Sequence, residues 1–459
     1  MNGRSAGWRD SLTGLLVILA FAAAGWKIFS LEPAANFAPV TQQALPSMPS
    51  SGGSVNEPKR SSPVQQASPD GSFRFDARFV SAAPGQAVHA ASLVELRDGR
   101  LQSVWFSGSR EGAGDVAIHT SVLDPSSLQW GPETVLIGRE QLQRGLWRYV
   151  KKIGNPVIAR APDGSLLLWM VNVSLGGWAG SSISWIRSTD EGVSWSEPRR
   201  LVTSPFLNIS TLVKAGPVAM ANGDISLPVY HEFLTKFGEV LRLNAAGQVV
   251  DKVRIANSQT SLQPVLLASG PAQAQVYLRS GNARALMVSD TSDAGQSWSP
   301  TRSSAWSNPD SALAGLVSRT GDRWLALNPV ERNRDVLALV QTSAGGSFDR
   351  ARRWTVESSV SPQVLIAVNS FDTLLADELI ARGASGAQAQ AYVASAMRQL
   401  CNGGRCAQEF SYPYLLQSRD GYIHLVYTWH RTRIKHVRFD PLQPLPVATA
   451  ALTHASSTR

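Results

Sequence analysis

A six-bladed β-propeller of antiparallel strands is the architecture this chain predicts, on three observations. Apolar runs of strand length recur from about residue 72 and are separated by turn dipeptides. An eight-residue motif repeats after about 100 residues. Helical periodicity is nearly absent from the body, with a single break over residues 369–400.

The chain of 459 residues opens on a membrane signal. Arg4 and Arg9 precede an apolar run from Leu12 to Trp26, extended by Ile28, Phe29 and Leu31 past Lys27. The run is at the lower edge of what spans a bilayer as a helix. Trp8 and Trp26 sit at its ends, and the basic flank keeps the amino-terminal side in the cytoplasm. The expectation is an uncleaved signal anchor over residues 1–31, single-pass in a bacterial inner membrane, with the propeller periplasmic. A cleaved signal peptide ending near Ala22-Ala23-Ala24 is the rival reading. Residues 32–71, rich in Pro and Ser, read as a flexible tether.

The propeller is expected over residues 72–445, followed by a tail at 446–459. Ala90 to Leu96 leads through Asp98-Gly99 to Leu101 to Phe106. The pattern recurs around Asp163-Gly164 and Asp420-Gly421. Such dipeptides between apolar segments predict hairpins with type I′ turns. The repeated motif is Ser188-Thr189-Asp190-Glu191-Gly192-Val193-Ser194-Trp195, and again Thr291 to Trp298; Thr342 to Phe348 is a degenerate copy with Ala344 at the Asp position. Its hydroxyl and carboxylate can bond turn N–H groups, its Gly takes a conformation other residues resist, and its Trp packs back between sheets. These Asp are therefore structural. About 340 residues remain once the tether and one insertion are set aside, which suits six blades.

The insertion spans about residues 369–408. Leu374, Leu375, Leu379 and Ile380 fall at helical spacing, as do Tyr392, Val393, Met397 and Leu400. It is expected to lie as a lid over one face, with Cys401 and Cys406 closing a small disulfide loop in an exported domain.

Composition narrows the function. With 43% hydrophobic and 17% charged residues, global disorder is excluded. The net charge is +9 and only eight of the 43 basic residues are Lys, which favours acidic partners met by guanidinium forks. No run reads as a nucleic-acid motif, no metal spacing or phosphate loop is present, and no cofactor is expected.

The repeated motif is the Asp box, and with it the chain resembles bacterial predicted neuraminidases with BNR repeats over about residues 86–440. The strings that carry the resemblance are Val88-His89-Ala90-Ala91-Ser92, Trp105 to Ile118, Gly154-Asn155-Pro156-Val157, Leu262-Gln263-Pro264, Phe410-Ser411-Tyr412-Pro413, and Tyr427-Thr428-Trp429 with Arg433 to Val437. The resemblance implies a sialidase-like glycosidase: a carboxylate clamp of Arg, a Tyr nucleophile, a Glu that activates it and an acidic proton donor. Arg279 and Arg334 match two clamp positions and Tyr412 the nucleophile. Glu111 or Asp115 stands where the proton donor is expected, and Arg110, Asn155 and Gln263 join the substrate-binding candidates. Two positions depart from the pattern. His89 stands for the first Arg and can assist binding or move a proton. Gln263 stands for the activating Glu and cannot take one.

Each candidate also has a plain structural reading: His89 bonded to blade backbone, Arg110 and Glu111 as a loop ion pair, Asp115 in a turn, Arg279 and Arg334 as rim charges, Tyr412 in the core. Trp429 reads as filler between blades. The alternation of Arg431, Arg433, Lys435 and Arg438 reads as a solvated strand edge. Three functions are thereby expected to compete: a glycosidase on an acidic sugar or exopolysaccharide, a lyase on a uronate, and a non-catalytic glycan-binding propeller in polysaccharide assembly.

Overall fold

The computed structural model describes residues 6–29, 35–39, 76–204, 208–281 and 285–442. It divides into two compact units, Met1–Ala35 and Asn36–Arg459. The first contains helix α1 (Ala6–Phe29), which covers the expected apolar run. Its side chains from Leu12 to Phe21 are exposed. Among the described residues no helix is long and apolar enough to cross a membrane.

The second unit is all-β in its main body. Six antiparallel sheets follow one another, each a meander of four principal strands. The first begins with Ala87–Glu95, the second with Lys152–Arg160 and the third with the short Leu212–Val213 and Val218–Ala219. The fourth begins with Ser261–Ala268, the fifth with Ala314–Val317 and the sixth with Phe410–Gln417. Each of these leading strands touches that of the next sheet, and that of the sixth returns to that of the first. Burial follows from this order. Second strands such as Leu166–Val173 and Ile423–Trp429 are buried throughout, whereas last strands such as Arg302–Ser307 are partly to fully exposed. A strand covered on both faces needs a continuous apolar run, which is why these segments are so readable.

The sixth sheet mixes the two ends of the unit: Asp76–Phe79 pairs antiparallel with Arg433–Phe439. That pairing corrects the reading of Arg431 to Arg438 as a solvated edge, because the strand has neighbours on both sides. Lys435 is buried, bonded to Glu357 and to Glu378 at 3.1 Å. Trp429 is fully buried, as filler should be.

The hairpins lie where expected, but their turns are of another type. Gly99, Gly164 and Gly421 take φ of +84° to +97°, while Asp98, Asp163 and Asp420 are not among the positive-φ residues. Each Asp instead accepts a bond from the N–H two residues on, at Arg100, Ser165 and Tyr422. A longer loop with a single left-handed Gly needs only one unusual residue. The two-residue pattern with both φ positive occurs at His430-Arg431, where Thr432 N bonds Trp429 O.

The Asp boxes form as expected. Ser188 Oγ accepts from Gly192 N, and Asp190 accepts from Ser194 N and Oγ, which holds its carboxyl down at about 2. Thr291, Asp293 and Ser297 repeat the arrangement.

Three expectations need correction. Residues 36–38 fall inside the anticipated tether, yet Phe37 and Ala38 are buried and Phe37 N bonds Pro271 O. One apolar ring that finds a pocket offsets the ordering of a few residues. A short helix, α2 (Arg139–Leu146), precedes the second sheet and went unpredicted, because a mostly polar segment of two turns shows little periodicity. The insertion forms two helices, α3 (Val368–Ala381) and α4 (Gly386–Leu400), and is no lid. Phe371, Leu375 and Leu379 share one core with Trp324, Phe410 and Trp429 of the sheets. Tyr392 and Ser395 bond the carbonyls of Ala82 and Gln86, which fastens α4 to the approach to the first sheet.

Cys401 and Cys406 form the expected disulfide, opposite each other in a small sheet completed by Ile366–Ala367. A loop this short contributes about 2 kcal/mol by closure entropy. The Cys401→Ser, Cys406→Ser double variant should lower the denaturant midpoint accordingly at unchanged slope; an identical midpoint would show that the loop is held by packing alone.

Candidate active site

The site is made by kinks in the leading strands. The ladder shifts register at His89/Ser92, Gly154/Val157, Leu262/Val265 and Ser411/Tyr414. At each shift one non-glycine residue has a positive φ: Ala90, Asn155, Gln263 and Tyr412. Ser210 and Asp310 have the same conformation just ahead of the leading strands of the third and fifth sheets. In three cases a proline follows, at Pro156, Pro264 and Pro413. Proline has no N–H to give the ladder, so it confines itself to bulges, and the bulge re-aims the residue before it. Such backbone strain concentrates at functional sites.

Tyr412 lies at the centre. Its hydroxyl oxygen accepts from Arg279 Nη1 at 3.3 Å and from Gln263 Nε2 at 3.2 Å. Arg279 has only donors, so Gln263 must turn its amide oxygen toward it (3.0 Å) and its NH₂ toward Tyr412 and Tyr230. Gln263 thus gives hydrogen bonds to both phenols and accepts a proton from neither. Asn155 Nδ2 also bonds the Tyr230 hydroxyl, at 3.3 Å. Burial raises the Tyr230 phenol well above its ordinary value, with Tyr412 adding to the effect. Burial would also lower the Arg279 pKa, but Tyr412 and the Asp310 carboxylate, 2.6 Å from Nε, outweigh it and hold the guanidinium charged.

His89 lies against the same ring, 4.0 Å between centroids. Burial, and after it the Arg431 charge, lower its pKa well below 6.5, so it is neutral at pH 7. Its buried Nδ1 has no hydrogen-bond partner among the described residues. Arg334 stands over the Tyr412 ring at 5.8 Å, and its Nη2 donates to Asp310 O at 2.8 Å.

Glu409, Arg431, Asp310, Tyr230 and Lys214 are members of the cluster that the sequence reading missed. The Glu409 carboxylate lies between Arg431 Nε at 2.9 Å and Arg334 Nη1 at 3.5 Å. Burial alone would raise its pKa, yet the two guanidinium groups keep it far below the carboxylate range. Arg431 also meets Glu111 at 3.0 Å. Lys214, from the third sheet, is buried with its amine 5.6 Å from the Tyr412 ring and 3.1 Å from Pro413 O, and burial brings its pKa down to about 7.

His89, Arg279, Arg334, Gln263, Asn155, Glu111 and Tyr412 are therefore joined by direct contacts or through Tyr230, Glu409 and Arg431. Asp115 and Arg110 are not drawn into these contacts. Asp115 is exposed and fastens its own loop: burial would raise its pKa, but Ser109 N and Oγ, both at 2.9 Å, hold it low. Arg110 is exposed on that loop. Among the described residues no cluster of His, Cys, Asp and Glu could hold a metal.

An all-β fold of consecutive four-stranded sheets with these kinked leading strands falls in the sialidase-like propeller class. The chain matches the BNR repeat-like domain over residues 99–425 and belongs to that family. Among solved structures, a Hadza microbial sialidase is 13% identical, with 77% of this chain and 66% of that one covered at a TM-score of 0.58. A Dyadobacter fermentans protein of unknown function is 11% identical, with coverages of 80% and 98% and the same TM-score. The intramolecular trans-sialidase of Ruminococcus gnavus, in complex with oseltamivir carboxylate, is 12% identical, with coverages of 78% and 96% and a TM-score of 0.55. This chain spans just under two thirds of the first of these. At such identities the likeness is one of fold. No curated protein matches the sequence.

Proposed function

We propose that the protein is a sialidase-like glycoside hydrolase acting on an acidic sugar, with its six sheets as the blades of one closed propeller. The observation that carries this reading is the Tyr412 oxygen held by Arg279 and Gln263, with Arg334 and Arg431 on the same network. Guanidinium forks suit a sugar carboxylate, and a phenol oxygen with two donors is poised for attack at the adjoining anomeric carbon. Glu111, on a loop of the first sheet and joined to the network through Arg431, is the carboxylate assigned to acid/base work at the leaving group. Asp115 is held ionised, so it suits a base better than an acid. Neutral His89, beside the phenol, can accept a proton.

One observation favours a second reading. Gln263 cannot activate Tyr412 as a base, whereas a Tyr and a neutral His in contact suit proton abstraction beside a uronate carboxylate. The enzyme would then be a lyase.

Supporting export and anchoring are the mostly apolar exposed run of α1 from Leu12 to Ala23, Arg4 and Arg9 ahead of that run, and a disulfide, which forms in oxidising compartments. The proposed location is the periplasmic face of a bacterial inner membrane.

The test is incubation with a panel of acidic oligosaccharides and weighing of the products. Hydrolysis yields fragments whose masses sum to substrate plus one water. Elimination conserves the summed mass and creates an ultraviolet-absorbing double bond; intramolecular transfer conserves it without one. Glycan binding without turnover, unchanged in Tyr412→Phe, would leave a non-catalytic propeller and refute both enzymatic readings.

A further inference from the structure

A second cavity, of about 580 Å³, opens between the α3–α4 corner and the outer strands of the sixth and first sheets. Its lining includes Arg78, Arg382 and Arg433 with Phe79, Trp130 and Tyr392, and no Asp or Glu. The guanidinium of Arg433 is clamped between two rings, 4.1 Å from the Phe79 centroid and 4.4 Å from that of Tyr392. Its Nε donates to Ser81 O at 2.7 Å, and its Nη atoms have no hydrogen bond among the described residues. The nearby carboxylates are committed elsewhere. Glu133 accepts from Ala82 N and Ala83 N and lies 2.7 Å from His119 Nδ1, and Glu378 pairs with Arg382 and Lys435.

Among the described residues no carboxylate is in hydrogen-bond contact with this part-buried cation, an arrangement that an anion would complete. Burial pushes the Arg433 pKa down to about 10, although Tyr392 and Glu133 pull the other way. Aromatic walls beside guanidinium forks fit the C–H face of a ring carrying an oxyanion better than a bare ion, and Gln129 and Gln388 in the lining offer amides to hydroxyl groups.

We propose that this cavity is a second binding site, apart from Tyr412, for an acidic sugar whose carboxylate, sulfate or phosphate meets Arg433. It faces different residues from the Tyr412 cluster. Arg431 turns to Glu409 and Glu111, whereas Arg433, two positions on, turns to Ser81, Phe79 and Tyr392. A polymeric acidic glycan held here would be retained while its other units are presented to the Tyr412 cluster.

Calorimetric titration of the full chain with D-glucuronate, D-glucose and inorganic phosphate tests this, in an Arg279→Ala background that removes the first site. Glucuronate should bind at least tenfold more tightly than phosphate, and glucose should not bind. Arg433→Gln should weaken glucuronate at least tenfold. Arg382→Gln, at a partly exposed helix end, should weaken it severalfold and guards against a folding defect in the first variant, with thermal melting as the check. Unchanged affinity in both variants overturns the site. Glucuronate no better than phosphate overturns its assignment to a sugar.

Discussion

Arg279→Ala should reduce kcat/KM by about a thousandfold or more while the protein remains folded. Removal of one preorganised donor to developing charge costs about 10²–10³ in rate. Arg279 does more than donate once. It bonds Asp310, Gln263 and Tyr412 simultaneously, and its hold on the Gln263 oxygen is what aims the amide NH₂ at the phenol. Without it the amide is free to turn over, and Tyr412 loses both donors. The fold should survive because the Asp310 side chain is 44% exposed and can return to water. Arg279→Lys should restore little, since a single ammonium cannot reach three partners lying in one fork. Tyr412→Phe should be as inactive. Wild-type kcat/KM in either variant, with melting temperatures unchanged, would remove the proposed site from the reaction.

The second large effect is acid unfolding. Four imidazoles are fully buried and held well below their ordinary pKa by burial: His89, His424, His430 and His436, with His424 and His430 down at about 3. Two of them lie in a one-way chain. Trp130 Nε1 donates to His436 Nδ1, so the His436 proton is on Nε2 and points to His424 Nδ1 at 2.9 Å. His424 Nε2 then donates to Ser418 Oγ at 2.8 Å, and Ser418 donates to Asp420. A proton added anywhere along this chain leaves two donors facing each other. Below pH 6.5 the unfolded chain takes up protons at these four groups and the folded one does not. Stability is therefore present above pH 6.5 and falls as the pH drops toward 3. Each His contributes a slope of about 1.4 kcal/mol per pH unit, so the four together approach about 5 kcal/mol per unit. A net stability of about 5–15 kcal/mol is exhausted within two to three units. Thermal melts in steps from pH 7.5 to pH 4 should show a steep loss below pH 6, made shallower by His424→Gln. A flat melting temperature down to pH 4.5 would contradict the assignment of neutral buried imidazoles.

How legible the molecule was depended on how local each signal is. Asp-Gly dipeptides and Asp boxes close their bonds within a few residues, and they marked the hairpins correctly even though the turn type differed. The cysteine pair was equally local. Arg279, Arg334, His89, Gln263 and Tyr412 could be aligned by motif, and the structure brings them together. Glu409, Asp310 and Lys214 could not, because their meaning arises only when different sheets converge. Arg431 was hidden by an apparent alternation that the strand does not keep. Arg433 and Lys435 share one face, Arg438 falls on the other, and Arg431 sits in the left-handed turn before the strand. One usable signal was overlooked: Asn-Pro, Gln-Pro and Tyr-Pro recur at the same place in the second, fourth and sixth leading strands. Proline in an otherwise apolar strand marks a bulge, and the residue before it marks the site.

The pairing of Asp76–Phe79 with Arg433–Phe439 has a mechanical consequence. Among the described residues, four from the front of the globular unit complete a sheet whose other three strands are synthesised hundreds of residues later. During translation the clasp stays open until the ribosome has passed Phe439. Once shut, a pull on the leading segment meets the docked Phe37 first and this short ladder next, and the two should give way in that order under tension.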